Sequence, residues 1–395
     1  MRSPCRRELA FPRLGSFRYA SSRPTIGTLA GRRGPGSLPA AEDGAVAAHF
    51  ADERSFDVRS IAFALALGLA GLTSTALADT EDDPQKPPAA GQPAEQATDQ
   101  TEDTPVPPTV AERAVLTQVY AADAFFEGPA WDPASGKLYF TAFVGSNTQI
   151  LRLDRPSRAT VWLDKSEGAN GTFLAANGRL LAAQAFGHRL MSYAIGPQGP
   201  SDTAVLAADK NWRQPNDVCQ APNGNIYFTD PDFRDRKSSA VYLLRPDGSL
   251  QKVITNMPVP NGVIASLDGK TLYVGDSHES LWRSYNIAAD GAVDEGKVFF
   301  DPKTESRREP DGMTIDAHGN LYFTGRGGVW VVAPDGKSLG LIPTTEFATN
   351  ATFGGADGKS LYITCDKRVY SLQMKVAGGQ FAAKPDKPIP PTPDP

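Results

Sequence analysis

Six residues with side-chain oxygens recur at a fixed distance from a turn. Counting back from Gly178, Gly224, Gly269, Gly319 and Gly358, the eighth residue is Asn170, Asn216, Asn261, Asp311 and Asn350; nine before Gly136 stands Glu127, where the turn 132–136 reads one residue longer. Carboxylates and amide oxygens without Cys or His form a hard donor set, which suits calcium best and magnesium or manganese less well; zinc is accepted but not selected. Two carboxylates on a narrow ring repel unless a cation lies between them. A lone Asn at a strand start also serves as a turn or cap residue, and that role fits Asn170 and Asn350 equally well. It leaves the two acidic positions unexplained. Donors arriving from one side leave the other open to water or substrate, and an open coordination site can polarise a carbonyl oxygen.

The elements that position these residues are hairpins. The stretch Val218-Cys219-Gln220-Ala221-Pro222-Asn223-Gly224-Asn225-Ile226-Tyr227-Phe228-Thr229-Asp230 reads as a short apolar strand, an Asn-Gly turn and a second strand of β-formers. Copies recur at intervals of 39 to 50 residues, among them Leu138-Tyr139-Phe140-Thr141 and Leu321-Tyr322-Phe323-Thr324. Six repeats of this length predict an all-β fold, a six-bladed propeller of four-stranded antiparallel blades spanning 113–380. The first strand of each blade lines the central channel, so the six oxygen-bearing residues form a ring at one level. The last repeat lacks a fourth strand, and the stretch 114–120 is expected to pair onto it and close the circle, which removes exposed edges.

Strand direction then places the loops after each second strand around the mouth. Their His188, His278 and Arg326, with Arg213 just before Asn216, are candidate substrate-binding residues alongside Asn170 and Asn350. Phe143, Phe233, Arg234, Lys367 and Trp212 are further candidate wall.

Net charge is −5 and the isoelectric point is near 5.5, so no basic field argues for nucleic acid or an anionic membrane. Residues 1–57 are Arg-, Gly- and Pro-rich and predict no packed structure. Residues 58–78 hold Arg59, the apolar run 61–72 and Ala76-Leu77-Ala78, the three parts of a secretory signal cleaved near Ala78-Asp79. The mature chain is therefore expected to be exported, periplasmic or secreted, without a membrane span. A signal this far into the chain suggests a start codon near Val58 rather than Met1. Residues 79–112 read as a solvated acidic Pro-rich linker and 381–395 as a disordered Pro-rich tail. Cys219 and Cys365 fall on opposite repeats, too far apart for a disulfide, and read as small buried apolar residues. No Gly-Xaa-Ser-Xaa-Gly elbow or phosphate-cradling glycine motif is present.

Several of these motifs resemble the senescence-marker-protein, gluconolactonase and luciferin-regenerating-enzyme family of six-bladed propellers. They are Glu127-Gly128-Pro129-Ala130-Trp131, Pro215-Asn216-Asp217-Val218, Pro260-Asn261-Gly262, Pro310-Asp311-Gly312-Met313, and Asn350 with Phe353-Gly354-Gly355. The resemblance implies that Glu127, Asn216, Asn261 and Asp311 bind one divalent metal and that the chain hydrolyses a small-molecule lactone of the gluconolactone type. It gives Asp311 the role of general base, activating water; direct attack by Asp311 is the other route. Thr141-Ala142 departs from the Ser-Asp pair common in that family. Two other readings use the same ring: an ester or organophosphate hydrolase, and a non-catalytic, calcium-stabilised propeller that binds a carbohydrate or peptide. Oligomeric state is not legible in the sequence.

Overall fold

A computed structural model describes residues 104–303 and 308–382. These lie within the unit Ser55–Pro395, and a second unit, Met1–Arg54, lies outside them. The proposed N-terminal extension, the signal segment, most of the linker and nearly all of the tail therefore fall outside the described residues.

The described chain forms six four-stranded antiparallel sheets. Blade 1 is β2 (Phe125–Asp132), β3 (Lys137–Val144), β4 (Asn147–Arg155) and β5 (Arg158–Leu163). Blade 2 is β6 (Ala169–Leu174), β7 (Arg179–Gln184), β8 (Arg189–Gly196) and β9 (Gly199–Ala208). Blade 3 is β10 (Val218–Gln220), β11 (Ile226–Asp230), β12 (Ala240–Leu244) and β13 (Leu250–Ile254). Blade 4 is β14 (Pro260–Ala265), β15 (Thr271–Asp276), β16 (Leu281–Asn286) and β17 (Lys297–Phe300). Blade 5 is β18 (Met313–Ile315), β19 (Leu321–Gly325), β20 (Gly328–Val332) and β21 (Ser338–Pro343). Blade 6 holds β22 (Ala348–Gly354), β23 (Ser360–Cys365) and β24 (Arg368–Gln373), and takes its outer strand β1 (Thr117–Ala121) from the start of the fold. The pairs Thr117↔Ser371 and Ala121↔Arg368 make that closure, as the sequence implied. All six turn glycines sit at positive φ, between 64° and 89°, which explains why the turn keeps that residue.

The inner part of each blade is buried on both faces, so its second strand carries a run of consecutive buried residues rather than an alternation. Adjacent side chains point to opposite faces, and the Tyr-Phe pairs show the result. Phe140 packs between blades 6 and 1 and Tyr139 between blades 1 and 2. Phe228 and Tyr227 divide in the same way, as do Phe323 and Tyr322. Burial of each such ring contributes roughly 1.5–3 kcal/mol. Cys219 and Cys365 are free and buried in two of these interfaces.

One boundary needs correcting. Residues 104–112, assigned to the solvated linker, run along blades 5 and 6 as part of the fold. Leu341 N–H donates to Pro105 O (3.1 Å), Lys375 N–H to Thr109 O (2.8 Å) and Ala111 N–H to Gln373 O (3.1 Å). Proline content predicts solvation, but a proline carbonyl still accepts hydrogen bonds, and here the carbonyls of Pro105 and Thr109 take up N–H groups along blades 5 and 6.

Candidate metal centre

All six ring residues are buried: none is more than 5% exposed. Each stands where an innermost strand begins, and the blades meet there backbone to backbone. Thr141 Oγ1 donates to Asn170 O (2.9 Å) from blade 1 to blade 2. Gly171 N–H donates to Asn216 O (2.7 Å), Gly262 N–H to Asp311 O (3.1 Å) and Gly312 N–H to Thr349 O (2.7 Å), joining blade 2 to 3, 4 to 5 and 5 to 6. Thr349 Oγ1 closes the circuit onto Phe126 O at 2.7 Å. Four of the six ring residues are followed by glycine because the strands approach this closely. A Cβ on Gly262 would lie 2.1 Å from Asp311 O.

Glu127 and Asp311 are brought together, each carboxyl within hydrogen-bonding reach of the other. Gly128 N–H and Asn350 Nδ2 both donate to Glu127 Oε2, the second at 3.1 Å. Burial, then the charge of Asp217, pushes the Glu127 carboxyl up to about 8. Asp311 is raised well above the usual carboxylate range by burial, then by Glu127 and Asp217. Asn261 also lies beside Asp311, yet among the described residues no donor is aligned on either Asp311 oxygen. Asn261 Oδ1 and Asn170 Oδ1 are likewise buried without a partner. The Asn261 amide is oriented by Ser277: Nδ2 donates to Ser277 Oγ (3.2 Å), and that hydroxyl donates to Pro310 O (2.5 Å). Asn216 is buried at the corresponding place in blade 3.

Four buried oxygens without donors, on a carboxylate and two amides beside a second carboxylate, are a donor set of the kind that could hold a hard divalent cation. Among the described residues no three His, Cys, Asp or Glu side chains converge as a metal cluster, and the donor set depends on its amides.

The other expected site residues divide. Asn350 braces Glu127, since its Oδ1 is already taken by Ala351 N–H at 2.8 Å. Arg213 Nη2 donates to Ser238 Oγ (3.1 Å), and Arg213 Nε stands 3.8 Å from Asp232 Oδ2. Arg326 pairs with Glu309 at 2.6 Å and lies over the Phe347 ring. His278 meets Arg236 at 3.4 Å, and His188 holds a left-handed backbone (φ 48°) with Nδ1 buried. These four sit on mouth loops rather than in the ring. Phe125, Phe143 and Phe186 form an edge-to-face row on the side of blades 1 and 2. Two acidic residues that the sequence left unassigned fix the mouth loops. Asp230 Oδ1 accepts from Arg213 N–H and Gln214 N–H (2.8 and 2.7 Å), and Asp276 Oδ1 from His278 N–H and Glu279 N–H (3.0 and 3.1 Å). A third, Asp217, lies under the ring itself, and an acid where four other copies carry glycine was the signal for it.

Comparison with known proteins agrees with this architecture. The chain is 27% identical to the gluconolactonase of Zymomonas mobilis over 66% of its own length and 82% of that protein. It is 26% identical to the regucalcin of Oryctolagus cuniculus, over 60% and 82%. A gluconolactonase structure from Xanthomonas campestris superposes with a TM-score of 0.59 at 29% identity, covering 68% of this chain and 95% of that one. Residues 125–367, more than half of the chain and nearly all of the propeller, match the SMP-30/gluconolactonase/LRE-like region, and the chain belongs to that family.

Proposed function

We propose that this protein hydrolyses a lactone, a cyclic carboxylic ester of the gluconolactone type, at the ring of Glu127, Asn216, Asn261 and Asp311. The observation that carries this reading is the fully buried Asp311 carboxylate, with both oxygens lacking a donor beside Glu127, in a family whose relatives are named as lactonases. Glu127, Asn216, Asn261 and Asp311 would hold one divalent ion, and calcium best matches four hard oxygen ligands. Such an ion supplies Lewis-acid polarisation of the ester carbonyl and charge compensation for the two carboxylates.

The chain's own residues do the rest. Asp311 takes a proton from the attacking water as oxygen bonds to the carbonyl carbon. The bond from that carbon to the ring oxygen breaks, and the proton passes to the departing alkoxide, leaving a hydroxy acid. Ser277 and Asn350 orient Asn261 and Glu127 through the hydrogen bonds described above. Arg213, His188, His278 and Arg326 line the mouth, where the substrate's substituents are read.

The test is a panel of aldonolactones assayed by acid release, with chelator and with calcium restored, beside an aryl ester and a fluorophosphate. Chelator-sensitive release from lactones is the expected result. Turnover confined to the ester or the fluorophosphate would move the chemistry to those substrates. Bound metal with no hydrolysis would leave a ligand-binding propeller. We also propose export after cleavage near Ala78-Asp79, which N-terminal sequencing of the mature protein tests.

A further inference from the structure

The circuit of hydrogen bonds that joins the inner strands crosses most junctions through backbone groups or threonine hydroxyls. Between blades 3 and 4 the crossing is made by a carboxylate. Asp217 Oδ1 accepts from Val218 N–H (2.9 Å), and Oδ2 accepts from Val263 N–H of blade 4 at 3.3 Å. Val218 and Val263 each follow a proposed amide ligand by two residues, Asn216 and Asn261. Blade 2 also makes room: a Cβ on Gly171 would lie 2.2 Å from Asp217 Oδ1. The side chain is 5% exposed. It therefore touches blades 2, 3 and 4, while its charge acts on Glu127 of blade 1 and Asp311 of blade 5. No cationic side chain is among the largest influences on any of these three carboxyls.

We infer that Asp217 is a positioning residue and the third charge of the cation site. Its two oxygens are held on backbone N–H groups, which places it beside the ligands rather than among them; it aligns the strands of Asn216 and Asn261 and adds one negative charge to the two supplied by Glu127 and Asp311. This rests on the reading that the ring holds a cation. A site with three buried carboxylates against a divalent ion is short of one positive charge, so a trivalent lanthanide of similar size should bind more tightly than calcium. Coulomb energy is proportional to the ion's charge. Loss of the Asp217 charge therefore costs a trivalent ion about one and a half times as much, in log Kd, as it costs a divalent one.

The test is calorimetric titration of metal-free protein with calcium and with terbium, on wild type, Asp217→Asn and Asp217→Glu, together with thermal melts of each in chelator. We expect wild type to bind terbium at least tenfold more tightly than calcium. Asp217→Asn should weaken calcium by roughly 100-fold and terbium by roughly 1000-fold, the ratio set by ion charge. Asp217→Glu should keep most of the terbium preference even where its melting temperature falls. If Asp217→Asn does not fold, Asp217→Ser, smaller and able to accept one of the two hydrogen bonds, takes its place. Unchanged affinities with a lowered melting temperature would make Asp217 a structural brace and overturn the inference. Equal fold-losses for both ions would overturn it too, by assigning the effect to ligand alignment. Failure of wild type to bind either ion would instead overturn the proposed cation site itself.

Discussion

On the proposed reading of the ring as a cation site, chelation should invert the way stability depends on pH, and Glu127 sets how far. In the folded chain the Glu127 carboxyl is pushed from its ordinary 4.5 up to about 8, and Asp217 from 3.8 up to about 7, in each case chiefly by burial. Between the ordinary and the raised values the folded protein holds protons that the unfolded chain has released. Each rise in pH therefore favours unfolding. The stabilisation is complete below about pH 4 and is lost as pH climbs through the raised values. Every carboxyl in that condition removes about 1.4 kcal/mol per pH unit, which for a propeller of this size lowers the melting temperature by roughly 3–6 °C per unit. The assay is a series of thermal melts in chelator between pH 5 and 7, on wild type and Glu127→Gln. Wild type should lose stability throughout this window, and the variant should lose it less steeply by about one carboxyl's worth. Saturating calcium should flatten or reverse the wild-type trend, because metal binding favours the ionised carboxylates. Metal-free stability that is flat or rises from pH 5 to 7, or an unchanged slope in Glu127→Gln, would refute the reasoning.

Three further outcomes follow from the same geometry. Asp311→Asn, assayed at calcium concentrations that saturate the variant, should still lower kcat by about 10²–10⁴-fold, the range of a lost general base; recovery of wild-type kcat once the site is filled would leave Asp311 a ligand only. Ser277→Ala frees the Asn261 amide to rotate and should weaken calcium binding by about tenfold, the lower end of effects from residues that orient ligands, with a denaturant midpoint close to wild type. Gly262→Ala drives a Cβ to within 2.1 Å of the Asp311 carbonyl and should cost ~3 kcal/mol or more of stability by overpacking, read as a shifted urea midpoint.

Much of this protein is legible in its sequence because a propeller repeats. One turn glycine per blade fixes a register, and the register alone predicts that Glu127 and Asp311 share a level although 184 residues separate them. Local hydrogen bonding kept that register: each of the six glycines takes the positive φ that its hairpin requires. What the register does not carry is which neighbour a side chain faces. Asn350 looked interchangeable with Asn170 by position. In the fold it turns its amide across the blade 6 to blade 1 seam onto Glu127, while the Asn170 oxygen stays without a partner. Residues 104–112 join the fold for a related reason: composition reports whether a segment can bury apolar surface, not whether a sheet edge needs its carbonyls.

Asp217 shows where both limits meet, and why the ring is more than a set of ligands. Its position beside Asn216 was visible, but its role depends on three facts of packing that no local pattern encodes. Gly171 leaves it space, Val263 offers a donor from the next blade, and burial chiefly raises its carboxyl. Burial, and then the neighbouring carboxyls, raise the proton affinity of Glu127 and Asp311. On the proposed reading, a cation at the ring would offset the cost of ionising them. On that reading closure of the blades and binding of the ion would be coupled: the hydrogen bonds that complete the circle would also set the field in which a lactone carbonyl is polarised.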